Sequence, residues 1–359
     1  MRMRALLGAL VVPALAACSA VGDGARPPSP SGSGTTGGSI TLVTHDSFAL
    51  SKAVMADFTT KTGYTVTVVQ PGDAGTLVNQ LVLTKDAPLG DVTFGIDNTF
   101  ASRALDEGVV VPPSPALTAP AAADGARYRV PSDSTGALTP IDVGDVCVNV
   151  DHDWFSAHRL AEPASLADLT KPEYKNLFVT ESPATSSPGF AFLLATVSTY
   201  GTGGWQAYWK ALKANGVKVD DGWENAWNVD YTAGGGQGQY PIVLSYSSSP
   251  VDTVPAGGTA PTTGALLDTC FRQVEYAGVI AGAKNPAGAA AFVNFLLSDE
   301  VQADIPGSMY MYPVSSSVRV PDDWATWAPL APHPLSVPAA DIAQHRSDWL
   351  RQWSDLALG

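Results

Sequence analysis

The apolar positions of this chain fall into short runs with two alternating periods. SITLVTH (39–45) is apolar and β-branched, as a buried strand is. FALSKAVMADFTTKTG (48–63) sets Phe48, Leu50, Val54, Met55 and Phe58 at helical spacing, and Gly63 stops it. YTVTVVQ (64–70) returns to strand, TLVNQLVLTK (76–85) to helix, DVTFGID (91–97) to strand and TFASRALDEG (99–108) to helix. That alternation predicts an α/β fold, a parallel sheet covered by helices on both faces. Ligands of such sheets sit beyond the carboxyl ends of the strands. His45-Asp46-Ser47 and Asp97-Asn98 are polar clusters at those ends.

The second half repeats the arrangement. FVT (178–180) reads as a strand and GFAFLLATVSTYG (189–201) as a buried helix, with Ser187 a natural N-cap and Pro188 a natural first residue. The unpaired first-turn N–H groups and the hydroxyls of Thr185, Ser186 and Ser187 compose a ready site for an anion, phosphate above all. Plain capping explains the same residues equally well. GWENAW (222–227) puts Trp223 and Trp227 four apart, on one helical face. They fit a core pair, or a flat aromatic surface kept for a ligand. The loop YTAGGGQGQ (231–239) matches neither phosphate-binding glycine pattern and reads as a surface turn. YPIVLSYSSSP (240–250) is a strand ending in Ser245, Tyr246 and three more serines. KNPAGAAAFVNFLLSDEVQADI (284–305) reads as one long helix, followed by a loop (306–314) that carries Tyr310 and Tyr312. Near the C-terminus Ile342, Trp349, Leu350 and Trp353 form one packing stripe of an amphipathic helix.

The first 18 residues, MRMRALLGALVVPALAAC, combine a basic start, a short apolar run and small residues, which is a secretory signal. The run is too short and wrongly flanked for a membrane span. Cys18, directly after Leu15-Ala16-Ala17, resembles the lipobox of bacterial lipoproteins, in which that cysteine becomes the lipidated first residue. Ser, Gly and Pro dominate residues 19–38, as in a flexible tether. The expectation is a signal peptide over 1–17, and a lipid anchor with tether over 18–38. That places the protein, exported and anchored, on the outer face of the cytoplasmic membrane.

The chain beyond the tether is long enough for one large or two ordinary domains, and a hydrophobic content of 45% allows a sizeable core. A net charge of −14 argues against nucleic acid as a partner. Cys147 and Cys270 are an isolated pair, most simply a disulfide in an oxidising compartment, with a catalytic thiol as the rival reading. The histidines at 45, 152, 158, 333 and 345 show no tight metal spacing, and there is no G-x-S-x-G elbow. A Ser-His-Asp triad assembled from distant positions stays open. Nothing points at a nucleophile, so no enzyme and no cofactor are expected. A secreted hydrolase is a distant third reading.

The clusters THDSF, GDVTFGIDN, TSSPGF, GWENAW, LSYSSSP and MYPV, in this order and spacing, resemble the bacterial thiamine-binding proteins, the substrate-binding components of thiamine ABC importers. The likeness runs over roughly residues 39–355, nearly the whole chain beyond the tether. It implies a two-lobe type II periplasmic binding-protein fold with a ligand cleft between lobes. Lobe 1 would hold 39–142 plus 276–315, and lobe 2 would hold 143–275 plus 316–359. A Cys147–Cys270 disulfide would then tie neighbouring crossover strands. The resemblance implies a monomer that takes thiamine or a thiamine phosphate and delivers it to a permease and its ATPase, with no chemistry on the ligand.

By resemblance Trp223, Tyr246 and Tyr310 contact ligand, Tyr310 standing where the family commonly has Trp. Trp227 is assigned to packing. Thr185, Ser186, Ser187 and Gly189 match the family's phosphate-side turn. Ala184 replaces a basic residue sometimes found there, a departure that speaks against strong phosphate-ester binding. Asp252 stands where the family can have an aromatic, and a carboxylate there suits a thiazolium. Asp46, Asp97 and Asp142 are further candidates for that role, with Ser47 and Asn98 beside them. Related binding proteins for polyamines and ferric iron are the alternatives. Polyamines need several carboxylates and aromatic walls, and ferric iron needs hard oxygen ligands.

Overall fold

A computed structural model describes residues 37–235 and 237–357. The signal sequence, Cys18 and nearly all of the tether lie outside the described residues. The first predicted elements appear in order: β1 (Gly38–Thr44), a helix Lys52–Thr62, β2 (Tyr64–Val69), a helix Ala74–Leu83 and β3 (Val92–Asp97). The first helix starts later than its apolar spacing suggests. Ser51 caps it, its Oγ accepting from the Val54 N–H at 3.4 Å, and leaves Phe48 and Leu50 on the approach, packed against the core.

The remaining strands are β4 (Val110–Val111), β5 (Thr139–Asp151), β6 (Phe178–Glu181), β7 (Lys218–Asp220), β8 (Ile242–Tyr246), β9 (Thr263–Ala265), β10 (Phe271–Ile280) and β11 (Tyr312–Pro313). One sheet takes them all, in the order β2-β1-β3-β10-β5-β8-β6-β7, with β4 on β10 and both β9 and β11 on β5. Its two flanks are parallel: β1 pairs with β2 and β3, and β6 with β7 and β8. Between them runs the long antiparallel pair β5–β10. These two strands carry the chain from one flank to the other. Cys147 in β5 and Cys270, one residue before β10, form a disulfide that closes a sequence separation of 123. Arg272 beside it pairs with the fully buried Asp145.

Two helical predictions need correction. Residues 284–305 form two helices, Pro286–Leu296 and Asp299–Met309, because Ser298 caps the second through the Val301 N–H. The helix starting at Ser187 runs on to Ala214 through a kink at Gly201, and its N-cap is Ser186, not Ser187. The C-terminal helix Ala339–Ala357 buries Ile342, Trp349 and Trp353. Trp353 packs edge-on against Trp209 of the long helix, centroids 5.6 Å apart, so the packing stripe behaves as expected.

Candidate functional site

Strand ends and helix starts from both flanks converge on one cleft, which encloses about 810 Å³ of space, part of it open to solvent. β1 delivers His45 and Ser47, the next strand–helix turn delivers Asp73 and Ala74, and the long helix delivers Ser187 and Pro188. Trp223 and Trp227 line one side, Tyr246, Ser249 and Asp252 another. The crossover strand β10 contributes Gln273 and Glu275, and Met309, Tyr310 and Met311 close the rim.

The two tryptophans stack nearly parallel, 12° apart with centroids at 5.8 Å, and Tyr246 stands edge-on to Trp223 at 6.4 Å. The Trp223 indole N–H donates to Ser245 Oγ at 2.8 Å, which fixes the ring plane. Trp227 is 3% exposed and sits behind Trp223, against Tyr231. The segment is a single α turn at Trp223–Asn225 running into a π turn at Ala226–Asp230, an arrangement that the i, i+4 spacing alone does not show. Tyr246 donates to Gln273 Oε1 at 3.1 Å, and Tyr310 donates to Asp252 Oδ1 at 2.8 Å. Tyr310 itself adopts the left-handed conformation at φ 56°.

Among the described residues, the lining carries Asp73, Asp252 and Glu275 and no lysine or arginine. Burial lowers His45 to about 4, so its ring is neutral, and Glu275 Oε1 lies 3.5 Å from its Nε2. Room for that ring exists only because residue 95 is glycine: a Cβ there would fall 2.0 Å from His45 Cδ2. Burial pushes Glu275 well above the ordinary carboxyl range, and the facing Asp142 adds to the push. Asp142 itself rises to about 7 by burial. Its carboxyl accepts from no protein N–H, so a proton shared with Glu275 satisfies both groups. With Glu275 raised and His45 lowered, the two meet as uncharged groups rather than as an ion pair.

Residues 87–332 match the family model described as bacterial extracellular solute-binding protein. The chain belongs to that family. Thiamine-binding periplasmic proteins of Brucella suis and Escherichia coli K12 are 26% and 27% identical to it, over 88% of this chain and 90% and 92% of theirs. A solved structure of a periplasmic thiamin binding protein superposes with a TM-score of 0.76 at 25% identity, covering 89% of this chain and 96% of that one. The fold of this solute-binding protein is therefore the two-lobe type II architecture, a binding fold rather than that of an enzyme family.

Within the solute-binding protein, the expected residues separate into two groups. Ser47, Ser187, Trp223, Tyr246, Asp252 and Tyr310 line the cleft. Asp46 is an exposed neighbour at its mouth, raised to about 6 by partial burial and then by the charges of Asp73 and Glu224. The rest stand back from it. Asp97 is fully buried and accepts from Thr99, the Phe100 N–H and Ser187 Oγ, the last at 2.7 Å. Asn98 is tied to β10, exchanging bonds with Val274 and donating to the Arg272 carbonyl. Thr185 donates to the Asp221 carbonyl, and Ser186 caps the long helix. Gly189 serves packing: a Cβ there would lie 2.6 Å from the Glu181 carbonyl oxygen.

Sequence reasoning missed Asp73, Gln273, Glu275 and the two methionines. Asp73 reads as an ordinary N-cap before its helix. The signal for the β10 pair was present in FRQVEY, where Gln273 and Glu275 are polar at alternate positions of an otherwise apolar strand, hence on one face.

Proposed function

We propose that this solute-binding protein captures thiamine and delivers it to an ABC importer. The carrying observation is the pairing of aromatic walls with carboxylates in a cleft whose described lining has no lysine or arginine. A thiazolium is a fixed, flat cation. Trp223, Tyr246 and Tyr310 offer ring faces, each contact adding about 0.5–2 kcal/mol of cation–π attraction. Asp252, held by the Tyr310 hydroxyl, supplies the counter-charge. Trp227 stiffens Trp223 from behind. The thiamine-binding names of the Brucella and Escherichia relatives support the same ligand.

On this reading the two lobes, 39–142 plus 276–315 and 143–275 plus 316–359, swing about β5 and β10 and close over the ligand. Cys18 carries the lipid, residues 19–38 form the tether, and a permease with its ATPase opens the closed monomer. Thermal unfolding of the mature protein, first stripped of any carried ligand by unfolding and refolding, tests the ligand class. Thiamine at a hundred times its Kd should stabilise the fold by about 2.7 kcal/mol. An acidic, aromatic cleft also suits a polyamine, so spermidine runs alongside, with ferric citrate. Stabilisation by spermidine and not by thiamine would retain the clamp and replace its ligand.

A further inference from the structure

The C-terminal helix Ala339–Ala357 lies against helices of both flanks. Through Trp353 it packs on the long helix, and it also touches helix Ala101–Asp106, which follows β3. Arg346 sits at that junction and is 6% exposed. Its guanidinium carbon lies 4.4 Å from the ring centre of Phe100 and 5.4 Å from that of Phe190. The two rings meet edge to face with centroids 5.6 Å apart, and both are fully buried. Phe100 stands at the start of helix Ala101–Asp106, on the flank of β1, β2 and β3. Phe190 stands in the first turn of the long helix, on the flank of β6, β7 and β8. One cation thus covers a ring from each flank.

Ordinary partners for this cation are missing. Among the described residues Arg346 has no ion pair, and its Nε has no hydrogen-bond partner. Burial, and then the charge of Arg103, lowers it to about 10, so it stays charged at neutral pH. Asp97 acts on it with the opposite sign, but that carboxyl already accepts from Thr99, the Phe100 N–H and Ser187. A buried cation without a carboxylate is unfavourable unless ring faces cover it. Two rings share that task here, and they stay together only while the flanks do. The ring pair also adjoins the backbone contact between Thr76 and Thr185: a Cβ on Gly75 would fall 2.9 Å from Phe100 Cζ.

We propose that Arg346 is a positioning residue for closure, bracing the C-terminal helix across both flanks and favouring the arrangement that keeps Phe100 on Phe190. The proposal rests on the reading of the protein as a clamp that closes over its ligand, and adds to it a residue that does not line the cleft. Moving the flanks apart separates the rings and leaves the guanidinium with one of them. The lost contact corresponds to about threefold to thirtyfold in affinity, with every ligand contact untouched.

Calorimetric titration with thiamine, beside urea denaturation, of the mature protein, Arg346→Leu and Arg346→Lys tests this. Leucine keeps an apolar stem and removes the cation. That variant should bind about three to thirty times more weakly. It should unfold at the same urea concentration as the wild type or a higher one, because exchanging an unpaired buried charge for an apolar group commonly leaves a fold as stable or more so. Lysine keeps a cation over the rings and should recover most of the affinity. If the leucine variant does not fold, Arg346→Gln takes its place in the comparison. Affinity unchanged or raised in a folded uncharged variant would overturn the proposal, as would a loss in the lysine variant equal to that in the uncharged one. A urea midpoint that falls in step with affinity would mark a merely structural role and overturn it too. If the wild type ignores thiamine and saturates with spermidine, the thiamine reading falls and the same comparison runs with spermidine. A wild type that binds neither would bring down the clamp and the proposal together.

Discussion

Trp223 is the side chain on which most of the ligand account depends. Its ring lines the cleft, its indole N–H is fixed by Ser245, and its backbone N–H holds Asp73. Trp223→Ala should weaken thiamine binding at least about tenfold, the loss of one to two aromatic contacts to a cation. Circular dichroism should show the fold retained, since the ring is only partly buried. Unchanged affinity would mean that the ligand lies elsewhere. At this scale the sequence was informative where an aromatic residue stands in a polar cluster at a strand's end, as at Tyr246. It was uninformative for Asp73 and Glu275. Both owe their role to partners far away in the chain: Trp223 is 150 positions from Asp73, and Glu275 faces Asp142 only through strand pairing.

Among the elements, helix Ala74–Leu83 meets the opposite flank backbone to backbone. The Thr76 N–H donates to the Thr185 carbonyl at 2.9 Å, and a Cβ on Gly75 would lie 2.6 Å from that same oxygen. Backbone on both sides leaves no flexible atom to yield. Gly75→Ala should therefore hold the cleft ajar and cost at least about tenfold in affinity. Small-angle scattering should show the ligand-bound variant as extended as the ligand-free wild type; compaction on binding would contradict this. The disulfide acts on the crossover. Replacing both cysteines by serine should lower stability by up to about 5 kcal/mol in the chain-entropy model, read by urea denaturation. The early β-α-β-α-β pattern was legible because each element carries its own period. The break at Leu297–Ser298 was not, because Ser298-Asp299-Glu300 reads equally as one polar turn of a continuing helix, and a single serine cap decides the boundary.

The whole molecule concentrates buried carboxyls around its cleft. Asp97 is raised to about 6 and Asp142 to about 7 by burial, and Glu275 is raised well above its ordinary range. A folded-state pKa above the unfolded value means that the native protein holds these protons more tightly. Stability should therefore rise as pH falls from about 7 towards 4. His45, lowered to about 4, opposes this below its ordinary value, but Asp46, Asp73, Glu181 and Asp220 are raised as well and add to the same trend. Cation binding runs the other way, since the ligand favours the ionised wall. Affinity for thiamine should thus fall between about pH 8 and pH 6, and titrations in buffers of different ionisation enthalpy should reveal proton release on binding. Affinity independent of pH would show that Glu275 does not sense the ligand. The order of strands, with β10 inserted between β3 and β5, was beyond local sequence, because no period records which distant strands will pair.

One titration tests the central claim most directly: the refolded, ligand-free mature protein against thiamine near neutral pH, followed by calorimetry. The account predicts one saturable site with submicromolar affinity, about −8 kcal/mol or stronger, lost or much weakened in Trp223→Ala. A folded protein that shows no heat with thiamine yet saturates with spermidine would contradict it.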